Sequence, residues 1–315
     1  MEKNSKIYIA GHKGMLGSSL VRVCLDRGYQ NLCVRTSQEL DLTRQGDVDK
    51  FFLSEKPVFV FMAAAKVGGI MANKTYRAEF IYTNVMIQSN IIHAAWRSGV
   101  RKLVFFSSSC VYPRMCAQPM KEEYLGTGLL EPTNEPYAVA KLAGMSMCRA
   151  YNEQYGTNFI CVLPTNLYGP SDNYDPENSH VMAALIDRFH RAKVEKRPEV
   201  ILWGTGTPRR ELMYVDDAAE AALFLMQHYN GNDPVNAGLG EDLTIKELAQ
   251  VVKETVGYQG EILFDTNKPD GMPRKLLDTS RLMSMGWQAR MPLKKGLIKA
   301  YDDYLGQVEL NFKKN

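Results

Sequence analysis

A glycine-rich turn directly after the first apolar run constrains this chain more than any other stretch. Residues 6–10 read as a short strand, and the amphipathic helix after the turn has Leu16, Leu20, Val23 and Leu25 on its apolar side. Strand, glycine turn and helix form the arrangement that binds dinucleotides, because glycines let the backbone approach a pyrophosphate that faces the helix N-terminus. A turn without a ligand is the alternative, which its position after the first strand disfavours. The predicted cofactor contacts are Gly11, His12, Lys13, Gly14, Met15, Leu16 and Gly17.

Strands and helices alternate along the first half of the chain. Further apolar runs occupy residues 32–34, 58–62, 102–106 and 159–163. This alternation predicts an α/β fold with a doubly wound parallel sheet, whose ligand crevice lies at the carboxyl ends of the strands. We assign residues 1–165 plus about 214–230 to this cofactor-binding domain. Residues of about 166–213 plus 231–315 are assigned to a smaller, interleaved α/β substrate domain.

Three helix assignments bear on later findings. Asp41 is expected to open a helix that reaches about Glu55, and Asp216 is expected to cap the helix that ends near His228. A long helix from about Tyr76 to Ser98 carries many apolar positions. We expect it to be buried on more than one side, against the sheet and against a second subunit, which predicts a homodimer.

Composition excludes several classes of protein. Apolar residues make up 45% and charged residues 23% of 315 residues, and the net charge is only +3 with no basic cluster, so nucleic-acid binding is not expected. No apolar run reaches membrane-spanning length, and the early first strand leaves no room for a signal peptide. Six cysteines without metal-binding spacing indicate a reduced, cytoplasmic protein with no metal site.

The end of the second strand indicates which dinucleotide is bound. Arg35 stands where an acidic residue would bind the ribose 2′-hydroxyl of NAD and repel a 2′-phosphate. Together with Lys13 in the glycine turn, Arg35 supplies positive charge, which favours NADP. The alternative is that both side chains are solvated surface cations.

The fourth strand is followed by the loop of residues 107–113, which carries hydroxyls and a thiol. A tyrosine and a lysine lie further along the chain. Tyr137 and Lys141 are four positions apart and so share one face of a helix. An ammonium group beside a phenol makes it a better proton donor, and Ser108 is placed to hold the phenol oxygen. These groups suit proton delivery to a carbonyl oxygen while a hydride reaches its carbon. The Tyr-x-x-x-Lys pair alone is a weak signal and depends on its surroundings.

Longer motifs resemble one family. They are GHKGM (11–15), AAAKVGG (63–69), SSSCVYP (107–113), EPTNEPYA (131–138), PTNLYGP (164–170), NSHV (178–181) and KPDG (268–271). Over residues 6 to about 305 the chain resembles the GDP-L-fucose synthases, which epimerise and reduce GDP-4-keto-6-deoxy-D-mannose. The resemblance implies an extended short-chain dehydrogenase fold, NADPH as cofactor and a homodimer.

The resemblance also implies roles for individual residues. Ser108, Tyr137 and Lys141 would form the reductase triad, and Cys110 and His180 the epimerisation pair. Further cofactor contacts would come from Arg35, Asp41, Leu42, Ala64, Ser107, Lys141, Pro164, Asn166, Leu167 and His180. The GDP-sugar would contact Ser109, Cys110, Asn166, Arg188, Trp203, Arg210, Asp270 and Lys275.

Departures from the family pattern keep other functions open. Residues 211–217 read ELMYVDD against the family's EFLHVDD, residues 74–77 read KTYR against NTYP, and Ser37 replaces a residue that is often basic. A related GDP-4-keto-6-deoxy sugar of a heptose or colitose pathway is one alternative substrate, and a non-catalytic NADP-binding regulator is another function. A sugar-nucleotide 4,6-dehydratase is disfavoured, because its acidic Asp-Glu pair is replaced by Ser109-Cys110.

The implied chemistry suits the residue types. The C–H bonds at C3 and C5 of a 4-keto sugar are acidic, because the carbanion delocalises into the carbonyl. A thiolate at Cys110 would act as base if positive charge lies nearby, and His180 exchanges protons near neutral pH. The alternatives are a small buried apolar residue for Cys110, a surface or capping group for His180 and a core side chain for Trp203.

Overall fold

A computed structural model of the chain describes residues 1–175, 179–268 and 270–312. Two motif residues named above, Asn178 and Pro269, lie outside these ranges. The strands are β1 Ile7–Ala10, β2 Leu32–Cys33, β3 Phe59–Met62, β4 Lys102–Phe106, β5 Phe159–Pro164, β6 Asn166–Tyr168, β7 Glu199–Trp203, β8 Arg209–Arg210, β9 Leu212–Tyr214, β10 Val235–Ala237, β11 Leu243–Thr244, β12 Glu261–Asp265 and β13 Arg274–Lys275. The helices are α1 Met15–Asp26, α2 Gln45–Glu55, α3 Ile70–Thr75, α4 Arg77–Arg97, α5 Glu135–Tyr155, α6 Val181–Val194, α7 Val215–His228, α8 Ile245–Val256, α9 Ser280–Ser284 and α10 Leu293–Phe312.

The main sheet has six strands in the order β10-β5-β4-β3-β1-β2, and every pairing is parallel. Strands β1, β3, β4 and β5 are buried along their whole length, as expected where helices cover both faces of a sheet. One face packs against α1 and α7, and the other packs against α2, α4 and α5. The predicted doubly wound parallel sheet is confirmed.

Three local expectations differ from the structure. Helix α2 begins at Gln45, because the Asp41 carboxylate binds the backbone N–H (3.0 Å) and hydroxyl (2.7 Å) of Thr43 and so forms a turn instead. Tyr214, not Asp216, occupies the cap position of α7. The Asp216 carboxylate instead accepts hydrogen bonds from α1, at 2.6 Å from both Ser19 Oγ and Arg22 Nη2. Leu25, expected on the apolar side of α1, is 48% exposed.

The second region has its own core between α6, α8 and α10. Short pairings, β7 with β12, β6 with β9, and β8 with β11 and β13, complete it. Strand β10, which lies in the range assigned to the second region, pairs with β5 and so belongs to the main sheet. Leu282 and Trp287, assigned to the second region, also pack against the first core. The rest of the division into domains stays a prediction.

No helix within the described residues is long and apolar enough to cross a membrane. The same residues contain no group of three or more His, Cys, Asp or Glu side chains that could hold a metal ion. All six cysteines are free thiols.

Candidate active site

The glycine turn lies at the carboxyl end of β1, where a parallel sheet binds its ligands. Gly11 has φ +82°, and a Cβ there would lie 2.7 Å from the backbone nitrogen of Ala64. Gly14 precedes α1, and a Cβ there would meet only the Gly11 carbonyl at 3.5 Å, so its outer side is open. The first turn of α1 has no acidic side chain that would repel an anion. The turn therefore fits a diphosphate.

Replacement of Gly17 tests this packing. A Cβ at Gly17 would lie 2.0 Å from the Gly11 carbonyl oxygen, so Gly17→Ala must displace the turn. We expect Gly17→Ala to destabilise the fold by about 1–3 kcal/mol and to weaken NADPH binding at least ~10-fold. Thermal unfolding and a fluorescence titration with NADPH measure the two effects.

Gly46 provides the matched control for that substitution. It lies in α2, and a Cβ there would meet nothing within 4 Å. Gly46→Ala should leave NADPH affinity unchanged and stabilise the fold by up to ~1 kcal/mol. Equal NADPH affinity in Gly17→Ala and the unmodified chain would contradict the role of the turn.

Ser107 and Ser108 follow β4 at the same edge of the sheet. Ser107 is buried, and its hydroxyl has no hydrogen-bond partner among the described residues, which fits a hydrogen bond with a cofactor. The Ser108 hydroxyl accepts a hydrogen bond from the backbone N–H of Cys110 at 3.2 Å, which caps a short 3₁₀ turn over Ser109–Val111. This turn places Ser108 and Cys110 side by side in the crevice.

Tyr137 lies against this turn. Burial raises the pKa of Tyr137 above its ordinary value, a negative charge on Cys110 raises it further, and a hydrogen bond with Ser108 opposes both effects. The phenol therefore keeps its proton at neutral pH and can act as an acid. Because the Ser108 hydroxyl and the Cys110 thiol both act on the Tyr137 phenol, the three side chains form one cluster.

Lys141 is buried one helical turn along α5. Its ammonium group donates a hydrogen bond to the Phe106 carbonyl at 2.8 Å and lies 5.8 Å from the centre of the Tyr137 ring. Burial lowers the pKa of Lys141 to about 8. The Ser108 hydroxyl, rather than Lys141, lowers the pKa of Tyr137. Acidification of the phenol by Lys141 stays a prediction.

A cation lies beside the Cys110 thiol. Cys110 needs such a nearby positive charge in order to act as a base. Lys275 Nζ is 3.5 Å from Cys110 Sγ, although sequence reasoning placed Lys275 only along the sugar nucleotide. His180 precedes α6, where its side chain makes no capping hydrogen bond. Surrounding protein lowers the pKa of His180, and Lys275 lowers it further. The residue is nevertheless solvent-exposed. Lys275 therefore links both epimerisation candidates.

The Arg35 guanidinium near the end of β2 already has hydrogen-bond partners within the protein. Arg35 Nη2 lies 2.6 Å from Glu55 Oε1, and Arg35 Nη1 donates to the Val34 carbonyl at 2.8 Å. Arg35 and the exposed Lys13 both lower the pKa of Glu39, after larger effects from hydrogen bonds with Thr36. The two cations thus lie on one side of the crevice, where a 2′-phosphate would compete with the acidic groups.

The predicted sugar-nucleotide residues divide into two groups. Trp203 is 63% exposed, so it is not a core side chain, and Lys268 Nζ lies 5.6 Å from its ring centre. Arg188 is also exposed and donates to the Ile201 carbonyl at 3.0 Å. Both side chains are open to a ligand.

The other group is held by hydrogen bonds or by burial. Arg210 donates to the Met272 carbonyl at 2.6 Å, and burial lowers its pKa while Asp270 raises it. The Asp270 carboxylate binds the N–H (2.9 Å) and hydroxyl (2.7 Å) of Thr205. Ser109 is buried. These contacts make Asp270 a clamp on the loop that follows Trp203.

The remaining cofactor candidates line the strand ends. Ala64 approaches Gly11, and the Leu42 carbonyl accepts a hydrogen bond from Asn90 at 2.9 Å. Asn166 Nδ2 donates to the Glu211 carbonyl at 2.9 Å. Pro164 ends β5, and Leu167 lies in β6. Sequence reasoning did not single out Glu211, although it noted the surrounding motif.

Comparisons with known proteins identify the class and then the family. The model of the NAD dependent epimerase/dehydratase family matches residues 7–238. A GDP-L-fucose synthase of Arabidopsis thaliana is 54% identical over 98% of this chain and 95% of its own, and the GDP-L-fucose synthase of Escherichia coli K12 is 50% identical over 95% and 96%. This chain therefore belongs to the GDP-L-fucose synthase family. A solved GDP-mannoheptose C4 reductase from Campylobacter jejuni with NADP bound is 44% identical, with a TM-score of 0.90 over 97% of this chain and 99% of that one.

Proposed function

We propose that this protein uses NADPH to convert GDP-4-keto-6-deoxy-D-mannose to GDP-L-fucose by 3,5-epimerisation and 4-reduction. The observation that carries the proposal is the cluster of Cys110, Lys275, Tyr137 and Ser108 at the carboxyl edge of the sheet. It combines a base for C–H bonds with a proton donor for a carbonyl. The identity of 50–54% to GDP-L-fucose synthases over nearly the whole chain supports the same activity.

The cofactor-binding residues suit NADPH. The glycine turn and the start of α1 would hold the pyrophosphate, Arg35 and Lys13 the 2′-phosphate, and Lys141 the nicotinamide ribose. Bound NADPH supplies the hydride for C4. Ser107, with its buried and unpartnered hydroxyl, offers a further hydrogen bond in the same crevice.

Epimerisation begins at a C–H bond beside the ketone. The Cys110 thiolate, with Lys275 beside it, removes the proton from C3 or C5. The electron pair moves into the carbonyl, and hydrogen bonds from Tyr137 and Ser108 stabilise the resulting enolate oxygen. His180, after it takes up a proton from solvent, returns a proton to the opposite face of the carbon, which inverts the centre.

Reduction uses the same hydrogen-bond donors. Tyr137 transfers its proton to the C4 oxygen as the ketone becomes an alcohol, and Ser108 keeps the oxygen in place. Because burial raises the pKa of Tyr137, the phenol retains this proton until the oxygen becomes strongly basic. One pocket thus serves both reactions.

The second candidate is epimerisation or C4 reduction of a related GDP-4-keto-6-deoxy sugar. The similarity to the Campylobacter jejuni heptose reductase and the departures at residues 211–217 favour it. NADPH oxidation should be measured with a panel of GDP-4-keto sugars of the deoxymannose, heptose and colitose pathways. Fastest turnover of the deoxymannose derivative to GDP-L-fucose supports the first proposal, and fastest turnover of another sugar supports the second. Oxidation with none of them would favour an NADP-binding regulator.

Cofactor preference is tested at Arg35. We expect Arg35→Ser to raise KM for NADPH by about 10- to 100-fold, because charge-assisted hydrogen bonds of about 1.5–3 kcal/mol to the 2′-phosphate are lost. KM for NADH should change little, since NADH has no such phosphate.

Arg27→Ser is the matched control, because Arg27 pairs with Glu220 between α1 and α7 and does not flank the end of β2. Its KM values should match those of the unmodified chain. An unchanged KM for NADPH in Arg35→Ser would show that Arg35 is only a surface cation.

The protein is proposed to act as a cytoplasmic homodimer. Arg77, Ile81, Glu135 and Val139 line a groove between α4 and α5, and Tyr82 on α4 is 64% exposed. Apolar side chains on a surface helix pair suit contact with a second copy. Sedimentation of the purified protein tests the dimer, and six free thiols agree with a reducing compartment.

A further inference from the structure

Glu211 is a charged residue in the interior that the mechanism above does not use. It lies between β8 and β9 and is 0% exposed. Burial raises the pKa of its carboxyl, and hydrogen bonds from Leu277, Gly240, Thr165 and Leu239 oppose that effect. A buried carboxylate is costly unless its oxygens are satisfied, so its partners indicate what it does.

One set of partners lies on the segment that contains Lys275 and continues past the end of β13. Glu211 Oε2 accepts a hydrogen bond from the Leu277 N–H at 3.0 Å, two residues beyond Lys275. The Glu211 N–H itself donates to the Lys275 carbonyl at 3.2 Å, beside the pairing of Arg210 with Lys275. Glu211 therefore binds this segment on both sides of Leu276.

The second set lies after β10 of the main sheet. Glu211 Oε1 accepts hydrogen bonds from the N–H groups of Leu239 at 2.6 Å and Gly240 at 2.8 Å. A Cβ at Gly238 would lie 2.3 Å from the same oxygen, so the loop is packed directly on the carboxylate. One carboxylate thus joins the main sheet to the segment that carries Lys275.

We propose that Glu211 is a positioning residue that holds the end of β13 so that the Lys275 ammonium group stays beside the Cys110 thiol. The inference rests on the proposed function, in which Cys110 is the base for epimerisation. Glu211 touches no reacting atom and acts only through Lys275. Its effect should therefore appear in the reactivity of Cys110.

A second anchor on the Lys275 segment limits how much the loss of the Glu211 contact can change Cys110 reactivity. Leu276 also receives support from the loop after the 3₁₀ turn, because its N–H donates to Gln118 Oε1 at 3.0 Å and its carbonyl accepts from the Met120 N–H at 2.7 Å. Loss of the Glu211 contact should loosen the segment without releasing it. A partial loss of Cys110 reactivity is the expected outcome.

Glu211→Gln is a suitable variant, because it keeps the shape of the side chain. An amide has one acceptor oxygen, which the two N–H groups of Leu239 and Gly240 can occupy together. The NH₂ group then faces the Leu277 N–H, and that hydrogen bond is lost. The substitution thus loosens the Lys275 segment while it retains the contact with the main sheet.

The experiment measures iodoacetamide alkylation of Cys110 at fixed neutral pH, without sugar or cofactor. Trypsin places Cys110 in peptide 103–114 and Cys116 in peptide 115–121, so mass spectrometry distinguishes the two thiols. Because the thiolate is the reactive form, Lys275→Met should slow alkylation about tenfold. Glu211→Gln should slow it about three- to fivefold. Glu211→Gln combined with Lys275→Met should be no slower than Lys275→Met alone, since both act through one contact.

Asp217→Asn is the matched control. Asp217 is another buried carboxylate that accepts two backbone N–H groups, from Arg290 at 3.1 Å and Met291 at 2.8 Å, but it does not bind β13. Asp217→Asn should leave Cys110 alkylation unchanged even where it lowers the melting temperature.

Three results would overturn the inference. The first is faster alkylation in Glu211→Gln, which would indicate only that the structure has opened. The second is an unchanged rate in Glu211→Gln, and the third is additive slowing in the double variant. Gly238→Ala should also slow alkylation of Cys110, because its Cβ displaces the Glu211 carboxylate. Agreement between the two variants would show that the effect does not come from the amide group introduced in Glu211→Gln. Since no sugar is present, slowed alkylation without turnover of any GDP-4-keto sugar would leave the positioning role intact and reject the proposed function alone.

Discussion

Cys110→Ser is expected to lower solvent deuterium incorporation at C3 and C5 of the 4-keto sugar by about 10²- to 10⁴-fold, the usual contribution of a general base. A serine hydroxyl beside Lys275 is a far weaker acid than a thiol and supplies almost no anion at neutral pH. The measurement is NMR of the sugar nucleotide in D₂O with enzyme and no NADPH. Reduction of a ketone that is already epimerised should persist, because Tyr137 and Ser108 are unchanged.

Cys116→Ser is the control for this prediction. Cys116 is also partly buried, and Lys275 lowers its pKa, although burial raises that pKa more strongly. Exchange at the normal rate in Cys116→Ser would show that the effect belongs to one thiol. If Cys110→Ser exchanges both positions at the normal rate, the assignment of the base is wrong.

Tyr137→Phe is expected to lower the rate of NADPH-dependent reduction by about 10²- to 10⁴-fold, because the proton donor for the C4 oxygen is removed. Deuterium exchange should continue at a reduced rate, since Cys110 remains and Ser108 still donates to the enolate oxygen. The epimerised ketone should therefore accumulate. NADPH absorbance and NMR of the sugar follow the two reactions in parallel.

Tyr151→Phe is the matched control on the same helix. The Tyr151 hydroxyl lies 2.8 Å from His93 Nδ1, on the α4 side of α5 and outside the crevice. It should reduce substrate at the normal rate. Loss of both exchange and reduction in Tyr137→Phe would instead indicate that the phenol is essential to the base step as well.

Much of the fold could be predicted from the sequence, because its main elements have strong local signals. The buried strands are short apolar runs, and helices follow them with apolar residues at helical spacing. Predictions were wrong where a tertiary contact replaced the local interaction that the sequence favours. Asp216 suits a helix cap, but Ser19 and Arg22 on another helix bind its carboxylate. Strand β10 is three residues long and is recognisable only by its pairing with β5.

The candidate site divides in the same way. Ser108 and Cys110 are two residues apart, and Tyr137 and Lys141 are one helical turn apart, so the sequence alone determined that each pair would lie together. The glycine turn was likewise determined locally, because its backbone geometry depends on a few neighbouring residues.

Only the tertiary structure decided which charges meet the reacting groups. Lys275 reaches Cys110 from 165 residues further along the chain, Glu55 pairs with Arg35 from 20 residues away, and Glu211 contacts Leu277 across 66 residues. Sequence patterns indicate secondary structure from the spacing of residues that are close together in the chain. Contacts such as these depend instead on how all the intervening elements pack. The sequence therefore determined the reacting groups, and packing determined their electrostatic environment.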